Sequence, residues 1–383
     1  MKRRTFIRLG GGLAAAGVAG FGGFMLSLPP SPKEPSPQDI PGQEVASTLA
    51  ALKPPKRQRP VIAIVGINDA TETTDYLVPY GILRRADVAD VNTLSTAPGM
   101  VKLFPALKVQ PNATIADFDA QHPAGADYVI VPAMSRDDDP VAVGWIKEQA
   151  QRGAIIIGIC AGAKVVAAAG LLDGRRATTH WHYLDGMLKR HPTIQYVPDR
   201  RIVVDRGVAT TTGISASMPM MLTLIEAIAG KVKAREVARD LGVGQWDARH
   251  DSEAFKLTRP FAMTVMGNSA AIWHRDRLAI EVRPEVDEVS LALVADAWSR
   301  TYRSQVTSVA TTAEPVRIRG GLTILPDETI KGWARSQLVP SSVVLRPAQA
   351  LDDTLGAIAR RYGDDTAHVV AMQLEYPIHS LSG

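Results

Sequence analysis

The chain has 383 residues, 46% hydrophobic and 21% charged. At roughly 100–200 residues per domain this gives two or three domains with a sizeable core and excludes disorder as the dominant state, while a single cysteine, Cys160, excludes a disulfide scaffold, a zinc ribbon and an iron–sulfur protein. The formal net charge is +4, but Lys2, Arg3, Arg4 and Arg8 account for all of it, so the body is neutral and no nucleic-acid partner is expected.

Residues 1–28 have the form of an export signal: a basic start, then an uncharged Gly/Ala/Leu/Phe run, with no acidic residue before Glu34. Arg3-Arg4-Thr5-Phe6-Ile7 resembles a twin-arginine signal, and the weak hydrophobicity of the run suits that route. The expected location is the periplasm or the periplasmic face of a bacterial inner membrane. Either the segment is cleaved, or residues 9–28 stay as a membrane tether of about the 20 residues a spanning helix needs. Residues 29–59 are Pro-rich and predict an extended linker.

From residue 60 to 243 strands and helices alternate. Val61–Val65, Tyr128–Val131 and Ala154–Ile159 are short β-branched runs, as buried parallel strands should be. Tyr76–Ala86, Val141–Arg152 and Ala161–Ala169 predict helices between and after them. The pattern predicts an α/β fold, a doubly wound parallel sheet of the flavodoxin-like type, with its chemistry at the carboxyl ends of the strands. Cys160 stands there, in Gly158-Ile-Cys-Ala-Gly162. Small residues on both sides permit the sharp strand-to-helix turn of a nucleophile elbow. The N-terminus of the following helix is then expected to favour thiolate. A buried, inert cysteine is the competing reading of the same residues.

Gly158–Gly162, followed by Gly170-Leu-Leu-Asp-Gly-Arg-Arg-Ala-Thr-Thr-His180-Trp181, resembles the ThiJ/PfpI superfamily of class I glutamine-amidotransferase-like folds. It is most similar there to the sensing domain of AraC-type transcription regulators. Glu72-x-x-Asp75-x-x-x-Pro79 with Leu83-Arg84-Arg85-Ala86 looks like the family's first helix, and Ala126–Pro132 like its strand before the oxyanion loop. The resemblance implies that Cys160 is the nucleophile, that Asp75 is the acid bonded to it, and that His180 is a nearby base or acid. It also implies that Glu72, Ala133, Met134 and Ala161 line a ligand pocket. Three departures weaken an enzymatic reading. Ala133-Met134 replaces the usual Gly-Gly, Ala161 stands where peptidase-like members carry His, and no helix-turn-helix module follows. His180-x-His182, read as a strand, would present two imidazoles to one face, but nothing completes a ligand set; neither metal nor cofactor is expected.

The region 276–383, beyond a connector at 244–275, predicts a degenerate partial second copy of the same fold. Val316–Ile330 runs parallel to Val101–Ile115 at a constant displacement of 215 residues. One residue out of that register Val343–Leu345 falls on the strand Val129–Val131, and in it Val369–Met372 falls on the strand before the elbow. Two functions are therefore expected from the resemblance. The first is a small-molecule-binding protein like a regulator's sensing domain, with an envelope protein, its own second copy or a homodimer partner to signal to. The alternative is a cysteine-dependent hydrolase, hydratase or glyoxalase-like lyase. A third, structural or redox role would have Cys160 merely oxidise.

Overall fold

The computed structural model describes residues 23–30, 36–271, 273, 275–340 and 345–377. Most of the export segment, and Val343 and Val344 of the strand expected at Val343–Leu345, thus lie outside the described residues. Among the described residues no helix is long and apolar enough to cross a membrane.

The stretch expected to be an extended linker is not one. Gly42–Ala51 forms helix α1, and Leu52 after it is fully buried, its carbonyl accepting from Tyr128 Oη at 2.7 Å. Arg57 then pairs with the buried Asp127 at 2.6 Å. Proline content suggested an unattached spacer; a buried leucine, an ion pair and the hydrogen bonds about them fasten it to the start of Tyr128–Val131, the central strand of the main sheet.

The chain continues through β1 (Val61–Gly66), β2 (Asp69–Glu72), α2 (Thr73–Ala86), β3 (Asp90–Ser95), the hairpin β4 (Val101–Phe104) and β5 (Lys108–Gln110), then β6 (Ala113–Thr114) and α3 (Ile115–Gln121). After these come β7 (Tyr128–Val131), α4 (Pro140–Gln151), β8 (Ile155–Gly158), α5 (Gly162–Ala168), β9 (Arg176–Ala177), α6 (Trp181–Arg190), β10 (Gln195–Tyr196), β11 (Ile202–Asp205), β12 (Val208–Thr211) and α7 (Ser217–Leu241). Seven strands form one sheet in the order β11-β12-β8-β7-β1-β3-β6. It is parallel except at its β11–β12 edge. Strand periodicity divides the core: Ile62 and Ile64 pack with Tyr76 and Leu83 of α2, while Ala63 and Val65 pack with Trp145 and Ile146 of α4. Burial on both faces explains why β1, β7 and β8 read as unbroken apolar runs. The α/β fold expected for this part is the one observed.

The remainder forms a further α/β unit. After α8 (Arg259–Ala270) come β13 (Asp276–Glu281), α9 (Glu288–Ser299), β14 (Ser304–Ala310), the hairpin β15 (Val316–Arg317) and β16 (Thr323–Ile324), and β17 (Glu328–Thr329). Strands β13, β14 and β17 make a parallel three-stranded sheet. The hairpin instead pairs with the first hairpin, giving a five-stranded sheet β15-β16-β5-β4-β2 that contains strands from both halves.

Beyond β17 the expected correspondence fails. Residues 347–374 are two helices, α10 (Pro347–Tyr362) and α11 (Asp364–Leu374), so Val369–Met372 is helical and no second elbow exists among the described residues. Val369, Val370 and Leu374 are buried at helical spacing, a pattern that a short apolar run cannot distinguish from a strand.

Candidate functional site

The elbow at the end of β8 is present. Cys160 has φ of +54°, a left-handed conformation uncommon outside glycine. Two threonine side chains hold it: its N–H donates to Thr211 Oγ1 at 3.0 Å, and its carbonyl accepts from Thr179 Oγ1 at 3.0 Å. Gly162 is required two residues later, since a Cβ there would lie 2.0 Å from the Val131 carbonyl oxygen.

Cys160 opens onto a cavity of about 660 Å³. Six of the seven residues expected at the site line it: Glu72, Ala133, Met134, Cys160, Ala161 and His180. Asp75 is not in the lining. It is fully buried behind it, with Oδ2 accepting from the Ala133 N–H at 3.0 Å and Oδ1 without a partner. The Ala133 amide, on the loop where an oxyanion would be bound, is thus already committed to Asp75.

The expected thiolate is not favoured. Burial pushes the Cys160 thiol well above its ordinary value, and the carboxyls of Asp75, Glu72 and Glu375 add to the effect; the Ala161 amide opposes it. Helix α5, which was to stabilise the anion, is just seven residues long. The acids are themselves displaced upward. Burial, then the neighbouring Asp296, pushes Glu72 to about 7. Burial, then Glu72, raises Asp75 well above the carboxylate range. Buried like charges so close together retain protons rather than ionise in concert.

His180 does not sit on a strand with His182. It is the N-cap of α6, where its Nδ1 accepts from the His182 N–H at 3.1 Å. Its Nε2 lies 2.9 Å from the Gln373 carbonyl, to which it donates. Both ring nitrogens are therefore committed, and burial lowers the ring to about 3. The imidazole is neutral and fixed, which removes the basis for a general base at Cys160. Among the described residues no group of three or more His, Cys, Asp or Glu side chains could hold a metal.

Much of the cavity wall is far from the Cys160 motif in sequence. Trp181, Tyr183, Phe104 and Phe261 supply aromatic surface, and Arg300, Tyr302 and Gln373 come from the further unit. Arg300 Nη2 contacts Glu72 Oε1 at 2.7 Å, and its Nε contacts Asp296 at 2.8 Å. These two carboxyls hold the guanidinium charged against the cost of burial. Behind this wall the buried Glu375 braces it, Oε1 accepting from the Trp181 N–H at 2.6 Å and Oε2 from the Gly213 N–H at 2.7 Å. No local motif marks Arg300. The available signal was its position, 215 residues beyond Arg85 in the repeat register.

The model of the DJ-1/PfpI family matches residues 61–227. Isonitrile hydratase of Pseudomonas putida is 32% identical over 174 residues, 44% of this chain and 72% of that enzyme. The HTH-type transcriptional regulator CdhR of Pseudomonas aeruginosa is 31% identical over 125 residues, 33% of this chain and only 37% of the regulator. Among solved structures, a cysteine-to-alanine mutant of a DJ-1 superfamily protein from Salmonella typhimurium is 24% identical with a TM-score of 0.43, covering 49% of this chain and 100% of that one.

Proposed function

The chain belongs to the DJ-1/PfpI family, and from that premise we propose that the Cys160 cavity binds a small organic molecule and signals its presence without turning it over. The observation that carries this reading is the commitment of His180 at both nitrogens. A thiol raised by burial and three carboxyls, with no imidazole free to deprotonate it, is a poor nucleophile. The site keeps what binding requires: a largely apolar, concave wall with a few fixed polar groups. That transcriptional regulators stand among the relatives supports the same reading.

One observation favours a catalytic reading. Asp75 has a buried carboxyl oxygen without a partner and holds its proton. As Cys160 Sγ adds to an electrophilic carbon and one π bond of the substrate breaks, this carboxyl could pass its proton to the atom that receives the electron pair and take up the thiol proton in exchange.

A thermal-shift screen of small organic acids, amides, nitriles and isonitriles, followed by mass spectrometry of each hit after long incubation, decides between them. We expect hits that raise Tm by several degrees, come back unchanged, and still bind Cys160→Ala. A compound consumed by the wild type and spared by Cys160→Ala would overturn the binding-only reading.

A further inference from the structure

We propose that residues 276–329 are a second copy of residues 61–114 that occupies the place of a second subunit, and that it lends Arg300 to the Cys160 site as a positioning residue. The first part rests on register. A displacement of 215 residues carries β1 onto β13, the first residue of α2 onto that of α9, β5 onto β16, and β6 onto β17. The loop before β14 is one residue shorter, since Val61 faces Asp90 where Asp276 faces Ser304, and the displacement recovers at the hairpin. Helix caps repeat as well. Glu72 accepts from the Asp75 N–H at 2.7 Å, and its counterpart Asp287 accepts from the Ser290 N–H at 2.9 Å.

The two copies meet as symmetric subunits would. In an isologous contact residue i touches j and j touches i. Here Arg300 of the second copy pairs with Glu72 of the first, while Arg85 of the first pairs with Asp287 of the second. Arg85 and Arg300 are counterparts, as are Glu72 and Asp287. At the centre, β5 and β16 run antiparallel with Val109 opposite its own counterpart, Ile324. The contact is a two-fold interface written into one chain.

The two ends of that interface have different neighbours. At one end, Asp287 caps a helix of a copy that lacks an elbow. At the other, Glu72 and Arg300 stand in the wall of the Cys160 cavity. The charged and titratable groups acting on the thiol are Asp75, Glu72, Glu375, Tyr183 and Arg300, and Arg300 is the sole cation among them. Lys164, also in the cavity wall, is paired with Asp137 at 2.6 Å. The second copy thus places a fixed positive charge beside the thiol and fixes the Glu72 carboxyl as an oriented acceptor.

The assignment does not depend on what the cavity binds, and it is tested with iodoacetamide, because Cys160 is the sole thiol. Below its midpoint, alkylation proceeds in proportion to the thiolate fraction. In the full chain at pH 8.5, Arg300→Gln is expected to slow alkylation about tenfold, the equivalent of a one-unit rise in the thiol pKa. Arg85→Gln, which breaks the mirror pair, should leave the rate within twofold. Mere loosening of the interface would expose the buried thiol and speed both variants. An unchanged or faster rate in Arg300→Gln, or an equal slowing in Arg85→Gln, overturns the proposal. Should Arg300→Gln fail to fold, Arg300→Lys keeps the charge and is expected within threefold of the wild type; a larger change in either direction overturns the electrostatic role.

Discussion

His180 shows how burial converts a reactive side chain into a structural one. The ring caps α6 through Nδ1 and ties α11 through Nε2, and its value in the fold, about 3, lies far below the ordinary 6.5. The folded ring stays neutral while the unfolded ring takes a proton below pH 6.5. Its contribution to stability is therefore full above that pH and is lost as pH falls toward 3, by up to about 1.4 kcal/mol per pH unit. Glu72 acts in the opposite sense: raised to about 7, it holds a proton in the fold, and the stability this gives is lost as pH rises from about 4.5 to 7. Comparing wild type with His180→Gln isolates the imidazole, because glutamine can still accept from His182 and donate to Gln373. Between pH 7 and pH 5 the wild type should lose about 2 kcal/mol more than the variant, read from urea midpoints. Equal losses would show that the ring is accessible to protons in the fold.

At the scale of elements, the elbow depends on a close approach between α5 and β7. Gly162→Ala would drive a methyl group to 2.0 Å from the Val131 carbonyl oxygen and 2.9 Å from the Pro132 carbonyl carbon, and neither backbone atom can swing away. We expect a loss of about 3 kcal/mol or more, measured by urea unfolding. Gly186→Ala, in α6 with open space around it, should be neutral or stabilise by up to about 1 kcal/mol. The elements that sequence revealed are those whose burial is complete. The runs in β1, β7 and β8 are apolar on both faces, and the glycines about Cys160 mark the turn. The docked α1 escaped notice because only Leu52 beside it reaches the core. Carrying the repeat register past β17, where the correspondence ends, predicts a strand where the helix at 364–374 stands. Sequence places Asp75 near Cys160, but the expected bond between them is absent: Asp75 bonds the Ala133 N–H instead and its other oxygen has no partner; nor is the commitment of His180 to Gln373 legible, since that contact spans 193 residues.

For the whole molecule, the decisive feature is that neither α/β unit owns a complete set of layers. The five-stranded sheet takes β2, β4 and β5 from one and β15 and β16 from the other. Helix α2 lies so close to α9 that a Cβ on Gly81 would meet Glu288 Cγ at 2.6 Å. Unfolding either unit alone would strip a strand edge and a buried helix face from the other, so the two should open together. Hydrogen exchange followed by mass spectrometry is expected to give the same opening free energy, within about 1 kcal/mol, for peptides spanning Val61–Gly66 and Asp276–Glu281. A gap of several kcal/mol would make them independent domains.

Pairing Val109 with Ile324 inside one polypeptide has a consequence for how such a protein can evolve. In a pair of identical subunits every substitution is made twice, and a change that helps one end of the contact burdens the other. A single chain carries each change once. Asp287 can remain a plain helix cap while Glu72 adapts to a ligand, and the half without a cysteine is free to specialise as scaffold.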